Sequence, residues 1–116
     1  MPGFILIAIG GALGSVGRYY VSRLIMLVSG GVFPFGTMVV NVSGAIAIGF
    51  LAALSAPESR FFVSPQARLF FMTAACGGYT TFSTFSLETV ALIGDGQWMT
   101  ASLNAVGSVL LCLAAV

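Results

Sequence analysis

The chain has 116 residues, room for one domain, and only 6% of them are charged, against about 25% in typical soluble proteins. Four arginines, three acids and no histidine cannot clothe a water-soluble globule, so the apolar residues must face lipid and an all-α integral membrane protein is expected. The same inventory leaves a zinc or iron–sulfur centre without ligands and a Ser-His-Asp or Cys-His group without its base; no enzyme is expected, and a net charge of +1 gives nucleic acid no basic footprint.

A bilayer core of about 30 Å takes about 20 helical residues to cross, and four segments qualify as spans of a single domain over residues 1–116. The first covers about 4–28 and carries Arg18 and Arg23 in its second half. It lacks a charged leading region and a cleavage site, so it reads as a span and not a signal peptide. The second covers about 36–54, after the turn Phe33-Pro34-Phe35-Gly36. The third covers about 69–93, with a break expected at 77–80, and ends at Gly94-Asp95-Gly96. The fourth covers about 97–116, opens on an interfacial Trp98, and is still apolar at Val116, so a few further residues are expected beyond it. Cys76 and Cys112 sit in apolar stretches and read as small buried residues, not a disulfide.

Four crossings place the N-terminus, the 55–68 loop and the C-terminus on one side, and the turns near Gly30 and Asp95 on the other. Arg60 and Arg68 belong to the first side. Arg18, about 21 Å along the first helix, and Arg23 can snorkel towards the second. Orientation follows the asymmetry of such charges, and here the count is two against two. Dual topology is inferred, and from it an antiparallel homodimer. Small residues at Gly10, Gly14 and Gly17, and at Ala45 and Gly49, suit close helix packing.

Polar groups inside a span are expensive and point to function by default. Asn41 lies six residues into the second span, one turn beyond Thr37; its amide can serve a pore or an interhelical bond. The third span carries Gly77-Gly78-Tyr79-Thr80-Thr81-Phe82-Ser83-Thr84-Phe85-Ser86-Leu87-Glu88. A Gly-Gly pair is a natural break point, and Thr80 and Thr81 are good N-caps for a second half-helix. Freed carbonyls there could hold a small cation, and a half-helix N-terminus favours an anion. Thr81, Thr84 and Glu88 form one helical stripe; Phe82 and Phe85 share a neighbouring face. Hydroxyls can donate to a passing anion, and phenyl rings present a positive edge. Asn104, Ser108 and Cys112 repeat at four-residue spacing and form a weaker polar stripe in the fourth span, expected to face the same anion path.

The stretches Gly11-Ala-Leu-Gly14-Ser-Val-Gly17-Arg18-Tyr19, Pro34-Phe-Gly36-Thr37-Met-Val-Val-Asn41-Val-Ser-Gly44 and Gly77-Gly78-Tyr79-Thr80-Thr81-Phe82-Ser83-Thr84-Phe85 with Glu88 resemble the Fluc (CrcB) fluoride channels over three of the four helices. The resemblance implies an antiparallel, dual-topology homodimer in a bacterial inner membrane, with two fluoride pores and a structural sodium ion at its centre. It matches the backbone carbonyls of Gly77 and Thr80, from each subunit, to the sodium. It matches Asn41, Phe82 and Phe85 to the fluoride path, with Ser83 and Thr84 between the rings, Glu88 further along, and Arg18 at the vestibule. It implies passive export: hydrogen fluoride enters, dissociates, and the anion leaves, favoured by about 2.3 kcal/mol per 100 mV of negative-inside potential.

Two other readings compete. A small multidrug-resistance transporter has this length and topology, but needs a membrane-buried carboxylate in the first helix, where this chain has none. A non-transporting membrane subunit would use the same polar residues only to join helices.

Overall fold

A computed structural model describes residues 2–116. Helix α1 (Gly3–Ser29) stops where Gly30 turns to φ 56° and its N–H bonds Met26 O, the left-handed C-terminal cap that glycine adopts without strain. Pro34 then sets the entry to α2 (Phe35–Leu54), since proline cannot continue a preceding helix. The next apolar run is built in pieces. Ser64 caps α3 (Pro65–Arg68), its Oγ accepting from the N–H of Ala67. A π-helical stretch (Leu69–Cys76) and a single turn, α4 (Gly77–Tyr79), follow. Thr80 and Thr81 are extended, and α5 (Phe82–Gly94) then resumes. The positive-φ Gly96 closes the turn into α6 (Trp98–Ala115).

The described residues are helical, with no strand. Helices α1, α2 and α6 are each long and apolar enough to cross a membrane. The longest dimension is 49 Å, against about 40–45 Å for a bilayer with its headgroups.

α1 packs along the π-helical stretch and α4, and also against α2; α2 in turn packs on α6, and α6 on α5. The Gly10/Gly14 edge of α1 approaches the interrupted run closely. A Cβ on Gly10 would lie 2.7 Å from Ala74 Cβ, and one on Gly14 would run into the carbonyl oxygen of Ala75. Bare backbone therefore meets backbone, which is how apolar helices gain van der Waals contact when lipid offers no hydrophobic drive.

Burial runs opposite to that of a water-soluble protein. Thr37, Thr81, Asn104 and Ser108 are buried, while Phe4, Leu13, Leu24, Leu27, Phe50, Leu103 and Leu113 are exposed. Such a surface is stable only in lipid.

The break expected at 77–80 is displaced. Gly77 is helical, at φ −64° and ψ −37°, and belongs with Gly78 to α4. The extended residues are Thr80 (ψ 158°) and Thr81 (φ −150°). Gly78 is small for a different reason: α1 crosses it so closely that a Cβ would stand 2.7 Å from Gly11 O.

Candidate functional site

Extended residues inside an apolar run strand their N–H and C=O groups, each of which needs a partner when water is absent. Side chains supply several of them here. Thr81 is the N-cap of α5, its Oγ1 accepting from the N–H of Thr84 at 3.2 Å. Thr80, the other expected cap, turns back and donates its hydroxyl to Cys76 O at 3.0 Å. Asn41, from α2, engages Thr81 twice. Its Nδ2 donates to Thr81 O at 2.9 Å, and its Oδ1 accepts from Thr81 N–H at 2.8 Å. One amide thus imitates a backbone neighbour in both directions. α2 can come this near because Gly44, one turn on, faces Thr80: a Cβ there would strike Thr80 Cγ2.

Three carbonyls, those of Gly77, Tyr79 and Thr80, remain open at the interruption. In an unbroken helix Thr81 N–H would bond Gly77 O, but it goes to Asn41 instead. Among the described residues, no donor reaches Gly77 O, Tyr79 O or Thr80 O.

A cavity of about 350 Å³ lies against this place, and its wall includes Asn41, Gly77, Thr80, Thr81, Phe82, Phe85 and Ser108. Residues singled out from three of the sequence's spans therefore face one space. The rings of Phe82 and Phe85 stand 5.4 Å apart between centroids, tilted by 44°. Cys76 and Cys112 are free thiols; they are half-buried and line the same cavity, so the expectation that they are simply buried is corrected.

The other predicted residues lie elsewhere. Thr84 and Ser83 bond the hydroxyl of Thr81, at 3.1 and 3.3 Å, and do not line the cavity. Asn104 is sealed, 1% exposed: its Nδ2 donates to Thr89 Oγ1 at 2.9 Å and its Oδ1 accepts from Ser108 at 3.3 Å. Of that polar stripe, Ser108 and Cys112 reach the cavity and Asn104 braces Ser108 from behind. Glu88 borders a second cavity of about 260 Å³, together with Met26, Pro34 and Asp95. Thr37 donates to Glu88 Oε1 at 2.9 Å, while Oε2 is buried with no partner. Arg18 is half-buried and lines neither cavity.

Two contacts were missed in the sequence. The Thr37–Glu88 bond joins residues 51 positions apart; the available signal was that Thr37 and Asn41 share a face of α2, so both polar groups had to meet the same neighbour. Ser43 and the Tyr79 hydroxyl, 2.9 Å apart, make a third tie between α2 and the interrupted run.

Apolar faces turned outward and a chain of amides, hydroxyls and one carboxylate turned inward define a multi-pass membrane protein with a polar track. The family model described as "CrcB-like protein, Camphor Resistance (CrcB)" matches residues 5–116. The chain is also similar to three proteins named "Fluoride-specific ion channel FluC". It is 54% identical to that of Opitutus terrae, over 97% of this chain and 86% of the relative. For Paramagnetospirillum magneticum the identity is 51%, over 97% and 88%. For Rhodospirillum rubrum it is 50%, over 97% and 88%. This chain belongs to the CrcB family, whose members are ion channels and not enzymes.

Proposed function

We propose that the protein is a passive fluoride channel that releases fluoride from the cytoplasm. Fluoride is small and strongly hydrated, so a selective path must replace its water with comparable donors and still let it leave. Asn41 has one amide N–H beyond the one committed to Thr81 O, and Ser108, beside the two rings, can offer its hydroxyl by turning it from Asn104 Oδ1. Phenyl edges carry partial positive charge, and the N-terminus of α5 adds the positive end of a helix dipole. None of these groups is a fixed cation that would hold the anion. Thr84, Ser83, Glu88 with Thr37, and Asn104 extend the track along α5 and α6, with Arg18 at the vestibule.

The observation that carries this reading is the convergence of Asn41, Phe82, Phe85 and Ser108, from three helices, on one cavity. Membership of the CrcB family supports the choice of ion.

The working unit is proposed to be an antiparallel dimer of four-crossing chains with two pores, the interrupted 65–94 run making the third crossing. The carbonyls of Gly77 and Thr80, repeated by the second copy, fit a structural sodium ion. They are hard oxygen donors, they lie beside the cavity, and no internal donor satisfies them. Sodium held there would coordinate open carbonyls at the centre of the dimer and fix the two copies to each other.

Purified protein in fluoride-loaded liposomes tests the function. Fluoride should leave rapidly when the membrane potential is clamped, and chloride-loaded vesicles should retain their load. Vesicles that keep fluoride as control liposomes do would overturn the reading and favour a non-transporting subunit.

A further inference from the structure

We infer that Asn41 is the positioning residue of the sodium site: by capturing Thr81 N–H it frees the Gly77 carbonyl to bind the cation. This rests on the proposal that sodium is held by Gly77 and Thr80. A helix closes on itself by giving each carbonyl the N–H four residues on. Thr80 N–H keeps that pattern and bonds Cys76 O at 3.0 Å. The pattern fails at the next residue, where Thr81 N–H goes to Asn41 Oδ1 at 2.8 Å and Gly77 O is left without a donor. The return bond from Asn41 Nδ2 to Thr81 O, 2.9 Å, holds Thr81 extended. Thr80, between the clamp and α4, is extended with it, and its carbonyl is open as well. Gly77 is not the flexible element of this device. It is helical, and the residue is exposed and lines the cavity. Asn41 thus touches two systems at once, the wall of the anion cavity and the backbone that presents the cation's ligands.

Without the Asn41 amide, Thr81 N–H can return to Gly77 O, and sodium must then compete with that bond in each of two subunits. The expected effect is a rise of roughly tenfold or more in the half-saturating sodium concentration.

The test is thermal unfolding of the detergent-purified dimer, titrated with sodium against N-methylglucamine at constant ionic strength. In the unsubstituted protein sodium should raise the midpoint; if it does not, the sodium site itself is wrong and the inference falls with it. In Asn41→Ala the sodium-dependent rise should vanish or need about tenfold more sodium. In Phe85→Ile, which leaves the clamp intact, the rise should persist. A lost packing contact would lower stability equally in both cations, whereas the difference between cations reports the site alone. Asn41→Asp supplies the rescue, because a carboxyl oxygen still accepts from Thr81 N–H, and sodium dependence should return. Asn41→Ala with an unchanged sodium titration overturns the inference. Where Asn41→Ala does not assemble, Asn41→Asp decides: retained sodium dependence supports the clamp, and its loss overturns it. Failure of both variants to assemble would make Asn41 a general packing residue, which also overturns it.

Discussion

Thr37 and Glu88 show how little slack the polar track has. The threonine hydroxyl supplies the donor to Oε1, while Oε2 is buried and unpartnered. Leaving a buried polar group without its donor costs about 1–3 kcal/mol, and more for charged groups. Thr37→Val should therefore lower the unfolding free energy by at least about that much, read by chemical unfolding in detergent, and Thr37→Ser should restore most of it. The two rings make a different demand, because what they are proposed to offer is the positive edge of a quadrupole. Phe82→Ile and Phe85→Ile keep the side chain apolar and remove that edge. Each should cut fluoride efflux at least tenfold, a loss of about 1.4 kcal/mol in barrier terms, and leave the elution volume of the dimer unchanged. Wild-type efflux from both variants would remove the rings from the path.

At the scale of helices, the apolar spans were legible because lipid imposes one rule, about 20 apolar residues per crossing, and α1, α2 and α6 obey it. The interrupted run was legible in composition and not in detail. Gly77-Gly78 looked like a hinge, yet Gly78 answers to the passage of Gly11 and Gly77 stays helical. The interruption follows the glycines because Asn41, forty residues earlier, competes for Thr81 N–H, and local sequence carries no record of that partner. The same holds for Asn104, whose partners Thr89 and Ser108 meet it inside the bundle. The α1 groove was easier to read, since small residues four apart have one main use in lipid. Its consequence is specific. Gly14→Val, which must run into Ala75 O and, on Cβ alone, stand 2.8 Å from Tyr79 N, should abolish recovery of folded protein. Gly94→Ala, which meets nothing within 4 Å, should hold or slightly raise the thermal midpoint.

For the whole molecule, the arginine balance bears on the proposed antiparallel assembly. With Arg60 and Arg68 set against Arg18 and Arg23, neither orientation is favoured, and an antiparallel pair needs both. Ala56→Arg together with Ser59→Arg adds two charges to one side. Cells carrying that variant alone should show a single orientation by labelling of the 55–68 loop and should lose fluoride resistance, and co-expression with a variant of opposite bias should restore it. Retained resistance from a chain locked in one orientation would contradict the antiparallel dimer. The central claim, however, concerns which ion passes uncharged donors and phenyl edges in preference to its own water. The direct measurement is the reversal potential across a planar bilayer holding the purified protein, with fluoride on one side and chloride on the other. The account predicts a current that reverses far towards the fluoride equilibrium potential; a reversal near zero, or one set by chloride, would contradict it.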